Sequence, residues 1–371
     1  MKLKQFQEQL KKEDLDASIF LCSSPIHDSN IQYFTGFQQT RFYAFSCLII
    51  SQDKSSLITS QLEYDRAVRL AKVDEIINLK DYDNSLTKVF EQKLKDAKNI
   101  GIIERIFPYK LGKKLQGKKL QGKKLQDISQ ITENLRMIKT KKEIKLIKKS
   151  CEIANHGIKI IQENLSTKIT EKQLALILQQ ELIRKGADEL VFSTIVISGK
   201  RSAYIHPEPS YTDKKIQKGL GLVDFGARYQ CYCSDVTVPF SLGRLNEKQK
   251  KIFQVTQESY EKSVDVLEIG IPTWEVYEVA NKILEKDNFE FKHSLGHGLG
   301  LDVHDSPNLS PKPKTQEDLK NWEEVKLQEG MIFTIEPGVY VPEVGGCRLE
   351  NDVLMTKRGP KVLTKSKFIE L

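Results

Sequence analysis

Four carboxylates of this chain stand inside apolar, strand-forming runs, where ionised side chains are normally excluded, and they fall into two pairs. Asp224 and Asp235 lie in Leu222-Val223-Asp224-Phe225-Gly226 and Ser234-Asp235-Val236-Thr237-Val238. Glu336 and Glu350 lie in Thr334-Ile335-Glu336-Pro337-Gly338 and Arg348-Leu349-Glu350-Asn351-Asp352. Each pair reads as the two arms of a β-hairpin. A turn centred near Tyr229 and Gln230 makes Asp224 and Asp235 direct cross-strand partners, and a turn centred near Glu343 does the same for Glu336 and Glu350. Partners in such a register share one face, with Cβ atoms about 5 Å apart. Carboxylates gathered this closely repel one another, so they must take up protons or cations, and two divalent ions would balance the four charges.

The histidines gather around the same segments. His206, His293, His297 and His304 lie between the two hairpins or just before the first, whereas His27 and His156 lie outside. His297 stands in Gly296-His297-Gly298-Leu299-Gly300, where small neighbours permit close approach of backbone and side chain to a ligand. One imidazole with four carboxylates is an oxygen-rich donor set, which suits Mn²⁺, Co²⁺ or Zn²⁺ better than a thiolate-seeking ion. Singly, each feature has an ordinary explanation: a buried Asp caps a turn, a Glu pairs with Arg348, a glycine-rich histidine loop is only a loop. Their recurrence in two parallel halves is what points to a metal centre.

The rest of the chain frames that site. Its 371 residues exceed what one hydrophobic core usually serves, which predicts two domains. Residues 1–128 alternate helical stretches with the apolar runs Ala17–Cys22, Ala44–Ile50 and Ile100–Ile103, a small mixed α/β domain without a reactive cluster. A basic linker and helix entry follow over 129–145, and a catalytic domain over 146–371. Apolar spacing predicts a helix over Glu133–Ile161, a second opening at Thr170 with Gln173 completing a capping box, and strands around 190–198 and 220–240. The order then repeats, with helices over 246–268 and 273–287 and strands around 293–303, 331–341 and 346–355, so this domain reads as two αα-ββ halves.

The net charge of +8 is local. Residues 110–149 hold thirteen Lys and one Arg against Asp127, Glu133 and Glu143, which leaves the remainder net acidic. Within that stretch Gly-Lys-Lys-Leu-Gln occurs three times, from Gly112, Gly117 and Gly122, and it reads as a duplicated, solvated surface segment rather than a nucleic-acid tether. Cys22, Cys47, Cys151, Cys231, Cys233 and Cys347 show no CxxC pair, so they read as buried thiols, and Cys231 and Cys233 as one face of a strand. No apolar run is long enough to cross a bilayer, and the expectation is a cytoplasmic protein.

At these residues the sequence resembles the pita-bread metallopeptidases, in their aminopeptidase P and prolidase branch. The likeness is carried by Ile197-Ser198-Gly199 with Ser202-Ala203 and His206, by both carboxylate hairpins, by His293-Ser294-Leu295-Gly296-His297-Gly298 and by Val303-His304-Asp305. The resemblance implies that Asp224, Asp235, His297, Glu336 and Glu350 hold two divalent ions, most commonly Mn²⁺, with Asp235 and Glu350 bridging and a hydroxide between the ions as nucleophile. It also implies that Glu336 carries the proton, that His206, His293 and His304 meet the substrate or the tetrahedral intermediate, and that Arg348 partners the carboxylates. A homodimer is implied too, with an N-terminal domain that shapes the substrate entrance.

The activity so implied is metal-dependent removal of the N-terminal residue from peptides with proline second, by an Xaa-Pro aminopeptidase, with an Xaa-Pro dipeptidase (prolidase) as the alternative. Proline's missing amide N–H defeats peptidases that recognise that group, which gives such an enzyme its chemical reason. Thr237-Val238-Pro239 departs from the common Thr-Arg-Thr, Cys231 stands where glycine is common, and a longer segment around 310–326, including Trp322, bears on the entrance. Methionine aminopeptidases share the five ligands but lack such an N-terminal domain, and creatinase-like hydrolases keep the fold without the ligands. A third reading is a non-catalytic homologue that binds RNA or a protein, marked by salt-sensitive nucleic-acid affinity lost on deleting 110–126.

Overall fold

The computed structural model describes residues 2–24, 26–39, 45–120, 122–320 and 322–371. Two compact units divide the chain, Met1–Leu135 and Arg136–Leu371. Among the described residues no helix is long and apolar enough to cross a membrane.

In the first unit six strands form one mixed sheet, in the order Glu75–Asn78, Ser55–Thr59, Phe45–Ser51, Ala17–Ser23, Asn99–Ile102 and Lys124–Asp127. The apolar runs seen in the sequence form the centre of the sheet, where side chains on both faces are buried. Ala44, at the start of one of those runs, lies outside the described residues.

The pentapeptide repeat takes three different conformations. Its first copy closes the helix Tyr109–Gln116, its second forms the 3₁₀ turn Lys118–Leu120, and its third enters the edge strand Lys124–Asp127 beside Asn99–Ile102. Gln121 lies outside the described residues. Lys113, Lys114, Lys118 and Lys124 are exposed, as expected of a solvated segment, but the leucines and Lys123 correct that expectation. Leu115 and Leu120 belong to the core of this unit, Leu125 packs against it, and Lys123 is buried, its ammonium donating to the carbonyls of Leu94 at 2.6 Å and Ala97 at 2.5 Å. Leucine burial anchors each copy, and the available sheet edge decides which backbone it adopts.

The second unit has two halves of like build. Helices Lys141–Asn164 and Glu171–Arg184 accompany a four-stranded sheet ordered Ile369–Glu370, Val236–Leu242, Gly219–Phe225, Ile195–Ser198. Helices Glu247–Asp265 and Thr273–Lys286 accompany a five-stranded sheet ordered Asp305–Leu309, Gly296–Gly298, Ile332–Ile335, Asn351–Thr356, Gly359–Val362. Reciprocal capping boxes start three of these helices, at Thr140 with Glu143, Thr170 with Gln173, and Asn246 with Gln249. The helix expected over Glu133–Ile161 is in fact two, Ser129–Met137 and Lys141–Asn164. Thr140 adopts extended backbone to cap the second, and the Lys139 N–H is spent on the Gly330 carbonyl.

The first carboxylate hairpin differs from its expected register. Tyr229 pairs with Tyr232 and Asp224 with Thr237, so the loop is Gln230-Cys231, with φ of 46° and 72°. Two consecutive left-handed residues make the turn type whose twist matches a two-residue hairpin, and this sets the centre one residue later than composition suggested. Cys231 thus occupies a turn rather than a strand face, at a backbone conformation that favours glycine. Asp235 becomes the diagonal neighbour of Asp224, and the shift of two leaves both on one face. The second hairpin is centred on Glu343 as expected, with Gly338 paired to Arg348 and, further out, Ile335 to Asn351.

Candidate metal centre

His206, Asp224, Asp235, His293, His297, His304, Glu336, Arg348 and Glu350 all line one cavity of about 520 Å³ in the second unit. Both sheets contribute. The first hairpin brings Asp224 and Asp235, the second Glu336 and Glu350, and the short strand Gly296–Gly298 brings His297 between them. Glycine is required beside His297 because a Cβ on Gly296 would stand 1.9 Å from the Thr334 carbonyl oxygen, and one on Gly298 2.1 Å from that of Ser306. None of the described residues within 310–326 lines the cavity; Lys312 lies over the rings of Trp274 and Trp322, and Trp274 donates to Glu324.

Three overlapping donor groups converge here, Asp224/Asp235/Glu350, His297/Glu336/Glu350 and Asp235/His297/His304, each with ligand atoms within 4.8 Å of one another. Protonation follows from the bonding. His297 Nδ1 faces the Gly298 carbonyl at 3.1 Å, so Nδ1 carries the hydrogen, and burial holds the ring's pKa down at about 4. Its Nε2 lone pair then points at Glu336 Oε1, 3.3 Å away, and Asp235 Oδ2, 3.7 Å away. Acceptors facing acceptors at such distances require a proton or a cation between them. Burial raises the carboxyls of Asp224, Asp235 and Glu350, with the neighbouring acids adding to the effect at Asp235 and Glu350, and burial brings Glu336 to about 7. Buried Asp224 Oδ1 accepts no hydrogen bond from the described residues. This donor set fits divalent ions: they would restore the ionised carboxylates and give the orphaned oxygen a partner.

Around the donors runs a fixed hydrogen-bond chain. Arg348 donates to Asp224 Oδ2 at 2.5 Å, to Thr237 Oγ1 at 2.9 Å and to the Tyr340 hydroxyl at 2.9 Å, while Thr237 donates to Glu350 at 2.7 Å. Tyr340 lies 3.1 Å from His293 Nε2, and His293 Nδ1 lies 2.8 Å from the Ser294 carbonyl, so both nitrogens of that ring are engaged. His304 packs edge-on against His297 with centroids 4.2 Å apart. The next residue, Asp305, is pinned by Arg136 at 3.2 Å and Lys139 at 3.7 Å. Sequence reasoning assigned no role to Thr237, Thr334, Tyr340 or Asp352. Asp352 accepts the Asp235 N–H at 3.2 Å and the Cys151 thiol at 3.3 Å, and burial raises it to about 7. Thr237, Thr334 and Asp352 each lie two residues from a carboxylate ligand candidate, so strand alternation carried a signal for them.

Residues 145–357 match Metallopeptidase family M24, and residues 2–138 match the Creatinase/Prolidase N-terminal domain. The chain belongs to metallopeptidase family M24. Its fold is accordingly the pita-bread catalytic domain preceded by a creatinase-type N-terminal domain, and it is a peptidase of the prolidase and aminopeptidase P type. The Xaa-Pro dipeptidase of Pyrococcus horikoshii is 34% identical over 98% of this chain and 97% of its own length. That of Pyrococcus furiosus is 34% identical over 91% of each. The crystal structure of the prolidase from Pyrococcus horikoshii OT3 superposes with a TM-score of 0.87 at 32% identity, covering 99% of both chains. For this M24 member, family membership implies divalent metal ions.

Proposed function

We propose that this M24 peptidase is an Xaa-Pro dipeptidase, cleaving the single peptide bond of dipeptides that end in proline. The observation that carries this reading is its likeness, over nearly the whole of each chain, to two Xaa-Pro dipeptidases. It replaces the aminopeptidase as first choice.

In this reading Asp224, Asp235, His297, Glu336 and Glu350 hold two divalent ions, Mn²⁺ first and Co²⁺ or Zn²⁺ as alternatives. When bound, such ions supply a water nucleophile at neutral pH and polarise the scissile carbonyl. The residues of the chain do the rest. Glu336, whose Oε1 accepts from Thr334 at 3.1 Å, takes a proton and delivers it to the leaving proline nitrogen. His206 and His304, exposed on the cavity wall, offer N–H donors to the developing oxyanion. His293 stands in that wall with its Nε2 against the Tyr340 hydroxyl, and Arg348 keeps Asp224 oriented. Phe192, Ile195, Ile205 and Val303 supply an apolar wall suited to a pyrrolidine ring. The enzyme acts as a homodimer.

The test is hydrolysis of an Xaa-Pro dipeptide beside an Xaa-Pro tripeptide after chelation, restoring Mn²⁺, Co²⁺ and Zn²⁺ one at a time. The dipeptide is expected to be cleaved at least about tenfold faster, and only with added metal. Preference for the tripeptide would return the assignment to an aminopeptidase, and full activity in chelated protein would overturn the metal centre.

A further inference from the structure

His206 reaches the cavity on the loop 199–211, which opens with the 3₁₀ turn Gly199–Ala203, and no hydrogen bond holds its imidazole among the described residues. Its placement therefore depends on how the loop is held. The two ends of the loop converge on one side chain, Glu171, the first residue of the helix Glu171–Arg184 and only 2% exposed. Glu171 Oε1 accepts from the N–H and the hydroxyl of Ser198, at 3.0 and 2.9 Å. Its Oε2 accepts from the N–H and the hydroxyl of Thr212, at 3.1 and 2.8 Å. Arg201, inside the loop, lies 3.7 Å from the same oxygen and donates to the Pro209 carbonyl at 2.8 Å. The helix start is further laced to the residues just beyond the loop, by Glu171 N–H to the Lys214 carbonyl and Lys172 N–H to that of Thr212.

We infer that Glu171 is a positioning residue for the peptidase reaction, fastening both ends of the 199–211 loop so that His206 is presented to the substrate. A carboxylate is the one side chain of this size that accepts on both oxygens. Glutamine would turn an NH₂ group towards one of the two pairs; the hydroxyl there can rotate to accept from it, but the backbone N–H cannot, so one bond is lost and donor faces donor inside a buried site. The strand Ile195–Ser198 also pairs with the one that carries Asp224, but Asp224 and Asp235 have further anchors in Arg348 and Asp352 that the His206 imidazole lacks, so the consequence falls first on His206.

The inference rests on the proposed contact between His206 and the substrate, so the experiment is a double-mutant cycle on metal-loaded full-length enzyme. Glu171→Gln, His206→Ala and the double variant are compared by kcat/KM on an Xaa-Pro dipeptide, by bound metal and by circular dichroism. Glu171→Gln is expected to lose about tenfold in kcat/KM and His206→Ala about a hundredfold, both with metal retained. The double variant is expected within about twofold of His206→Ala alone, because positioning a residue that is absent has no value. Multiplication of the two losses overturns the inference, as does a fully active Glu171→Gln beside an impaired His206→Ala. A fully active His206→Ala has a different signature: the contact itself is then wrong, and the role of Glu171 falls with it. If Glu171→Gln does not fold, Thr212→Val removes one of the four bonds and takes its place, with a loss of about threefold expected and the same non-additivity.

Discussion

Glu336 and Glu350 face each other across one hairpin but are bonded differently. Glu350 accepts from Thr237, itself bonded to Arg348, and is thus tied into the rigid side of the site. Among the described residues the Glu336 carboxylate accepts from Thr334 alone and looks at His297 Nε2, and without ions burial raises it to about 7, so it is the less firmly held of the two. Glu336→Gln keeps the size and one oxygen but cannot carry the proton, so turnover should fall by about two to four orders of magnitude while metal content falls little. Glu350→Gln should fail mainly by losing metal, with partial recovery at high Mn²⁺. Bound metal and rate, measured for both across a metal titration, separate the two. Rescue of Glu336→Gln to wild-type turnover by metal alone would make it a ligand only and send the search for the proton carrier to the histidines.

At the scale of elements, identical pentapeptides become a helix end, a 3₁₀ turn and an edge strand. Deleting any one copy yields the same sequence, so the shortened chain must give up the middle segment and with it the fully used core position of Leu120. Leu120→Ala should cost about 2–5 kcal/mol, in the range for a buried leucine, and the deletion at least as much. Denaturation midpoints check both. Because every metal-ligand candidate lies beyond residue 136, metal binding should survive the deletion below its melting temperature. Unchanged stability in Leu120→Ala would show that the repeat is the solvated segment first read from its lysines. Capping boxes, by contrast, were legible: Thr170 with Gln173 begins its helix where expected, since all the partners lie within four residues.

For the whole molecule the metal centre is a liability without its ions. Glu336 and Asp352, with ordinary values of 4.5 and 3.8, are raised to about 7 by burial. Between those limits the folded protein keeps protons on these acids that the unfolded chain has released, and the raised carboxyls of Asp224, Asp235 and Glu350 act in the same sense. His293 and His297, held at about 4 against an ordinary 6.5, and the lowered His304 act in the opposite sense but are outnumbered five to three, so the stability of chelated protein should fall as pH rises from about 4 to 7. With Mn²⁺ bound the ligands are ionised at every pH in the window, and the slope should be shallower. Melting temperatures across the window, with chelator and with Mn²⁺, check this; equal slopes would mean that no cation engages the carboxylates. The amino-acid sequence by itself determined which residues could form the centre, their sharing of a face, and the hairpin about Glu343, because strand alternation and turn position are local. It also carried the two αα-ββ halves through helical spacing. Only the tertiary structure decided the register of the first hairpin, since consecutive positive φ at Gln230 and Cys231 is not written in their residue types. It alone decided the break before Thr140, the three fates of one pentapeptide, and the convergence of Glu171, Tyr340 and Asp352 on their partners. Those outcomes depend on burial and on contacts between residues up to 201 positions apart, which no local pattern encodes.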